Sequence, residues 1–254
     1  MFVLQKEKGR HFIGALPLIL DTTILTDFRL HACTITIIYY QFCKNNIKLI
    51  YCLFLQAVIR RRAYASHTVT DVIKMEELQD YQTANWLKAL SQTSYELTPS
   101  QKWGSNAWYL PDADLDFQPT EWKVYNHGTA SATAIGGNLS TFSLLQGTLY
   151  APCDTNYLLL VELSEGSHYL DFNRLLTSLL QTYPQSQALL IGHFPKECQM
   201  TEEILYYILD KHPILKTIPV LYDLDFAHTQ PLFTITIGAQ MTVDTHPISI
   251  RIDK

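Results

Sequence analysis

Gly136-Gly137-Asn138-Leu139-Ser140-Thr141-Phe142, continuing through Gly147-Thr148 to Tyr150-Ala151-Pro152, is the stretch on which the reading of this chain turns. Ala132 to Ile135, just before it, predicts a short strand. Two successive glycines permit a tight backbone turn and the close approach of another element. Asn138 then reads as a helix N-cap. Leu139, Phe142, Leu144 and Leu145 predict the apolar face of a short helix, and Gly147 can stop it. Such a unit is either a structural corner or a pocket floor, since bare glycine N–H groups and a helix N-terminus can receive an anion.

Outward from this unit, strand and helix signals alternate. Tyr157 to Leu163 (YLLLVEL) predicts a buried strand, and Leu170 to Tyr183 an amphipathic helix with Phe172, Leu175, Leu176, Leu179 and Leu180 inward. Ala188 to Gly192 predicts a second buried strand, and Glu202 to Leu209 a second helix capped by Thr201. Ile218 to Tyr222, Phe233 to Ile237 and Ile248 to Ile252 close the chain with β-rich segments. Strands alternating with helices predict an α/β domain with parallel pairs.

Toward the N-terminus, residues 92–122 are polar, with Trp103, Trp108, Tyr109, Pro111, Pro119 and Trp122, and read as a long loop or linker. Its tryptophans suit either a hydrophobic lid or a platform for a flat aromatic group. Val72 to Leu90 predicts one or two short helices. Leu49 to Ile59 is nearly all apolar and is followed by Arg60, Arg61 and Arg62. The run is about half of the roughly 20 residues a spanning helix needs, so no membrane role is expected. With 47% apolar and 17% charged residues, the 254-residue chain has ample material for a core. A net charge of −5 with no dominant basic run argues against nucleic acid. Five cysteines without a CxxC spacing read as free buried thiols in a reducing, cytoplasmic compartment.

Two residues stand out chemically. Glu162 ends an apolar strand, where a charge is costly unless paired or used, and strand C-terminal ends are where α/β folds place their sites. His228 follows the predicted strand 218–222, within Asp223-Leu224-Asp225-Phe226-Ala227-His228-Thr229-Gln230-Pro231. Each also has a plain structural reading, as a salt-bridged strand end and a hydrogen-bonded loop histidine. Asp223, Asp225 and His228 lack a recognised metal-ligand spacing, and neither a metal nor another cofactor is expected.

GGNLST followed by GT-x-Y-x-P resembles the opening of the C-terminal domain of the LD-carboxypeptidase family of serine peptidases, which includes the microcin C self-immunity proteins. Trp103 to Tyr109 resembles that branch's W-S-x-x-x-W-Y linker. Phe172-Asn173-Arg174-Leu175-Leu176, Ala188-Leu189-Leu190-Ile191-Gly192 and Ile218-Pro219-Val220 also match, in order. The resemblance covers roughly residues 64–252 and is strongest from 121. It implies a Ser-Glu-His triad, with Glu162 in LLLVEL and His228 in DFAHTQP as two of its members, and substrate contacts from Asn138, Trp103 and Trp108. It implies hydrolysis of an amide in a muropeptide or a peptide-nucleotide conjugate, in a homodimer of two-domain subunits. It also implies a swivelling β/α barrel-like C-terminal domain over residues 121–254. Residues 64–120 would be a remnant of the N-terminal domain plus the aromatic linker, and residues 1–63 an atypical, truncated or frame-altered segment of an incomplete Rossmann-like domain.

The departures are specific. Phe12-Ile13-Gly14 resembles the family's F-I-G-Y-S-D phrase, but no serine precedes it to supply the nucleophile turn G-G-x-x-S. Ser105, in Gly104-Ser105-Asn106, aligns with the linker, and Ser66 and Ser140 lack an activating context. Ala227 replaces a glycine and Thr236 a proline, changes that are tolerable if the backbone there has negative φ. Three expectations follow: a family peptidase inactive alone for want of its serine, a non-catalytic ligand-binding module, or a structural relic.

Overall fold

A computed structural model describes residues 2–7, 10–15, 63–65, 78–105, 116–152 and 156–254. The apolar run 49–59, the segment 72–77, Ser66 and Trp108 lie outside the described residues.

The first strands are β1 (Phe2–Glu7) and β2 (Arg10–Ala15), an antiparallel pair, and β3 (Ala63–Ala65). Then come α1 (Gln79–Ser91), β4 (Ser94–Leu97), β5 (Lys102–Trp103), β6 (Gln118–Pro119) and β7 (Lys123–Asn126). β8 (Thr129–Asn138) leads into α2 (Leu139–Phe142), β9 (Tyr157–Glu162), α3 (Tyr169–Thr182) and β10 (Ser186–Gly192). The chain closes with α4 (Glu202–Leu209), β11 (Val220–Leu224), β12 (Ile235–Ile237), β13 (Gln240–Thr245) and β14 (Ile248–Asp253).

Eight strands form one mixed sheet in the order β4-β14-β13-β8-β9-β10-β11-β7. Its centre, β8 to β11, is parallel, while β13, β14, β4 and β7 are antiparallel to their neighbours. The architecture is therefore α/β with a large mixed sheet. Both faces of the centre are covered, which is why β9 and β10 read as unbroken apolar runs. Leu159, Val161, Leu189 and Ile191 face α3 and α4, meeting Phe172, Leu176, Leu205 and Ile208. Leu158, Leu160, Ala188 and Leu190 face the other way, toward Trp122, Phe233, Ile235 and Met241.

Four expectations need correction. Gly136 and Gly137 form no turn; they are the last residues but one of β8, at φ 127° and 137°. A Cβ on Gly136 would lie 1.9 Å from the Leu160 carbonyl oxygen, so the glycine is there for close approach of β9. Leu144 points outward at 61% exposure, because the chain tightens into a 3₁₀ turn over Ser143–Leu145 and rotates it off the core. Segment 92–122 is not simply a loop, since β4 forms an edge of the main sheet and β5 pairs with β6. Ala227 has φ 151°, so the condition for tolerating its Cβ is not met; this conformation is one glycine adopts freely. Thr236 is absent from the positive-φ residues, and its backbone N–H donates to Tyr95 Oη at 3.1 Å, a bond proline could not make.

Candidate active site

The parallel strands β8 to β11 end side by side, and polar groups stand at or just after their ends: Asn138, Glu162, His193 and Asp225. Asn138 is the register partner of Glu162 on the neighbouring strand. The Asn138 side-chain oxygen accepts from the Thr141 backbone N–H at 3.2 Å and so caps α2. Asn138 is buried and belongs at least partly to this local cap.

Glu162 ends β9 with its side chain 9% exposed, and His228 sits on the loop after β11 with its side chain 31% exposed. His228 Nδ1 lies 2.9 Å from Glu162 Oε2. The carboxylate accepts, so Nδ1 carries the proton and Nε2 is the basic nitrogen of the neutral ring. A buried carboxylate orienting an accessible imidazole suits general base chemistry at Nε2.

Trp103 lies over His193, with ring centroids 3.9 Å apart and planes within 13°. His193 follows the last residue of β10 and is fully buried. Its Nε2 is 3.7 Å from Asp225 Oδ1 and its Nδ1 3.9 Å from Asp223 Oδ1. Both separations are too long for hydrogen bonds, and neither ring nitrogen has a hydrogen-bond partner among the described residues. Burial pushes the Asp223 carboxyl above the usual carboxylate range, against the pull of His193 and Lys123.

Asp225 is also fully buried. It accepts from the Ser100 backbone N–H at 3.0 Å, the Ser100 hydroxyl at 2.6 Å and the Trp122 indole N–H at 2.8 Å. Sequence reasoning weighed Asp225 only as a metal ligand and missed His193 and Ser100. The signal for His193 was a histidine directly after a continuous apolar strand. Ser100 carries no local signal, because its partner is far along the chain.

Of the serines weighed above, two lie among the described residues. Ser105 is buried, and its hydroxyl accepts from the Lys196 backbone N–H at 3.3 Å. Ser140 lies on α2. Cys198 is free and buried, and burial pushes its thiol up to about 12, which leaves it a poor nucleophile at neutral pH.

The fold and site are thus a mixed α/β sheet with a carboxylate–histidine pair, Glu162 and His228, at the C-terminal side of its parallel strands. Residues 131–243 match the family model described as the LD-carboxypeptidase C-terminal domain, and the chain carries that family's C-terminal domain. It is 32% identical over 157 residues to the putative carboxypeptidase YocD of Bacillus subtilis, an alignment covering 61% of this chain and 48% of the relative. It is 29% identical over 124 residues to the microcin C7 self-immunity protein MccF of Escherichia coli, covering 47% and 36% of the two chains. The chain thus spans about half or less of the length of these relatives. The crystal structure of an MccF-like protein from Bacillus anthracis superposes with a TM-score of 0.74 at 26% identity, over 81% of this chain and 65% of that one. A structure of MccF in complex with glutamyl sulfamoyl guanosine superposes at 0.70 and 22% identity, over the same shares, which bears on the fold alone. Among the described residues, no helix is long and apolar enough to cross a membrane.

Proposed function

We propose that this chain supplies the Glu-His part of a Ser-Glu-His hydrolase of the LD-carboxypeptidase type, acting on an amide in a muropeptide or a peptide-nucleotide conjugate. The single observation that supports this most is the 2.9 Å contact between Glu162 Oε2, at the end of β9, and His228 Nδ1, on the loop after β11. In this reading His228 Nε2 takes the proton of an attacking serine hydroxyl and returns it to the leaving amine. Glu162 holds the tautomer and stabilises the imidazolium. Asn138, Trp103 and Trp108 contribute to the substrate cleft, with Trp103 offering a flat face. The relative solved with a sulfamoyl nucleotide makes an aromatic base a reasonable occupant of that face.

The finer reading assigns residues 121–254 the family's barrel-like form, residues 64–120 the remnant and linker, and residues 1–63 an incomplete Rossmann-like part. It also takes the protein to be cytoplasmic and homodimeric. Among the described residues no serine is paired with His228, so in this reading the chain by itself is expected to turn over an L,D-tetrapeptide at less than about a thousandth of a family enzyme's rate. The test is turnover and binding by the purified chain, with the tetrapeptide and glutamyl sulfamoyl guanosine as probes. Binding without turnover is the expected result. Full turnover with a serine-trap adduct would show that the nucleophile is present, and mapping the adduct would identify it. Absence of both binding and turnover would leave a structural relic and overturn the proposal.

A further inference from the structure

The segment 101–121, which carries Trp103, begins and ends at one carboxylate. Ser100, just before it, and Trp122, just after it, both donate to Asp225. The Ser100 hydroxyl also lies 2.7 Å from Thr120 Oγ1, so the two ends of the segment meet there. A second tie joins the same two parts of the chain. The Gly104 N–H donates to the Gln230 carbonyl at 2.8 Å, and the Gln230 N–H donates back to the Gly104 carbonyl at 2.9 Å. Asp225 and Gln230 stand on either side of His228 in the sequence. The aromatic segment is therefore fastened to the histidine loop both before and after the histidine. Between the two ties, Trp103 rests on His193, whose own backbone N–H donates to the Leu224 carbonyl at 3.0 Å.

A fully buried carboxylate is costly unless hydrogen bonds satisfy it, and among the described residues every donor that does so flanks the segment. We propose that Asp225 is a positioning residue that keeps Trp103 in register with His228, so that one ligand meets both the aromatic face and the imidazole. The ligand's role rests on the function proposed above; the tether itself does not.

Two measurements on the full chain separate these parts. The first is amide hydrogen exchange in Asp225→Asn and in the milder Trp122→Phe, which removes a single donor. Gly104 and Gln230 amides are expected to exchange about tenfold faster or more in Asp225→Asn, and less so in Trp122→Phe, while β8 and β9 amides keep their protection. Unchanged exchange at Gly104 and Gln230 in both variants would overturn the tether, as would a uniform rise across the sheet in Trp122→Phe. The second is binding of adenosine monophosphate, read by tryptophan fluorescence, alongside the NMR resonance of the His228 Nδ1 proton. The dissociation constant is expected to rise about tenfold in Asp225→Asn with the Nδ1 proton still bonded to Glu162. Unchanged affinity despite a loosened segment would overturn the positioning role. A wild-type chain that does not bind the nucleotide would count against the proposed function, while the exchange experiment still decides the tether.

Discussion

Glu162 and Asp225 are both buried carboxylates at the C-terminal side of the same parallel strands, and they are used in opposite ways. Asp225 is saturated by Ser100 and Trp122. Among the described residues, Glu162 has one hydrogen-bond partner, the imidazole of His228. A carboxylate held by three fixed donors serves to hold structure in place. One that faces a single titratable, accessible ring can respond when that ring takes a proton. The contrast separates the residue that positions from the residue suited to chemistry, although composition and burial make them look alike.

Each carboxylate also has a glycine contact supporting it. A Cβ on Gly136 would meet the Leu160 carbonyl oxygen at 1.9 Å, and one on Gly192 would meet that of Phe226 at 1.8 Å. Leu160 lies in a central strand held on both sides by ladder hydrogen bonds, whereas Phe226 lies in the loop after β11, outside the ladder. Gly136→Ala is therefore expected to be the more damaging, costing more than about 4 kcal/mol, and Gly192→Ala measurably less, as read by urea denaturation. Equal costs would mean that the two supports are equally rigid.

The carboxylates themselves provide the next comparison. Asp225→Ala strands buried donors and is expected to cost about 3–5 kcal/mol. Glu162→Gln keeps shape and an acceptor and is expected to change stability by less than about 1 kcal/mol. If the two substitutions destabilise alike, the distinction between a saturated and an open carboxylate fails.

A smaller effect lies just past Asp225 in the chain. Ala227 holds φ 151° immediately before His228. Ala227→Gly is expected to raise stability by about 1 kcal/mol, by relieving a conformation that a Cβ disfavours. A lower denaturation midpoint would show that the surroundings accommodate the Cβ without strain.

The smallest effect is pH-dependent and concerns Asp223, the neighbour of His193. Its folded-state pKa is raised, chiefly by burial. The native state thus binds the proton more tightly than the unfolded chain, and this contribution to stability is present below the usual carboxylate range and lost as pH rises. Asp223→Asn, which also suits the φ of 57° at that position, is expected to gain stability near pH 7 by under about 1 kcal/mol. The gain should vanish toward pH 3. A gain independent of pH would assign the effect to the backbone instead.

Much of this arrangement was legible along the chain. The unbroken apolar runs of β9 and β10 announced strands buried on both faces, and Thr201 and Asn138 announced helix starts, because these signals depend on neighbours a few residues away. Glu162 and His228 could be singled out as a charge ending an apolar strand and a histidine just past another. The edge strand β4 was not legible. Its four residues lie in a polar stretch, and their pairing with β14 is across most of the chain. β13 was missed for the same reason, its half-exposed alternation being too weak to distinguish from a loop.

By itself, then, the sequence determined the local elements, the alternation that makes the sheet parallel at its centre, and the residues able to do chemistry. Tertiary structure alone decided which of them meet. Whether Gly136-Gly137 turned or ran straight depended on how near Leu160 would come. Whether Asp225 was a metal ligand or a hydrogen-bonded anchor depended on Ser100 and Trp122, which meet it only in the folded chain. Local patterns report on the backbone a few residues either way, whereas a hydrogen bond between distant residues exists only once packing has brought its two groups together.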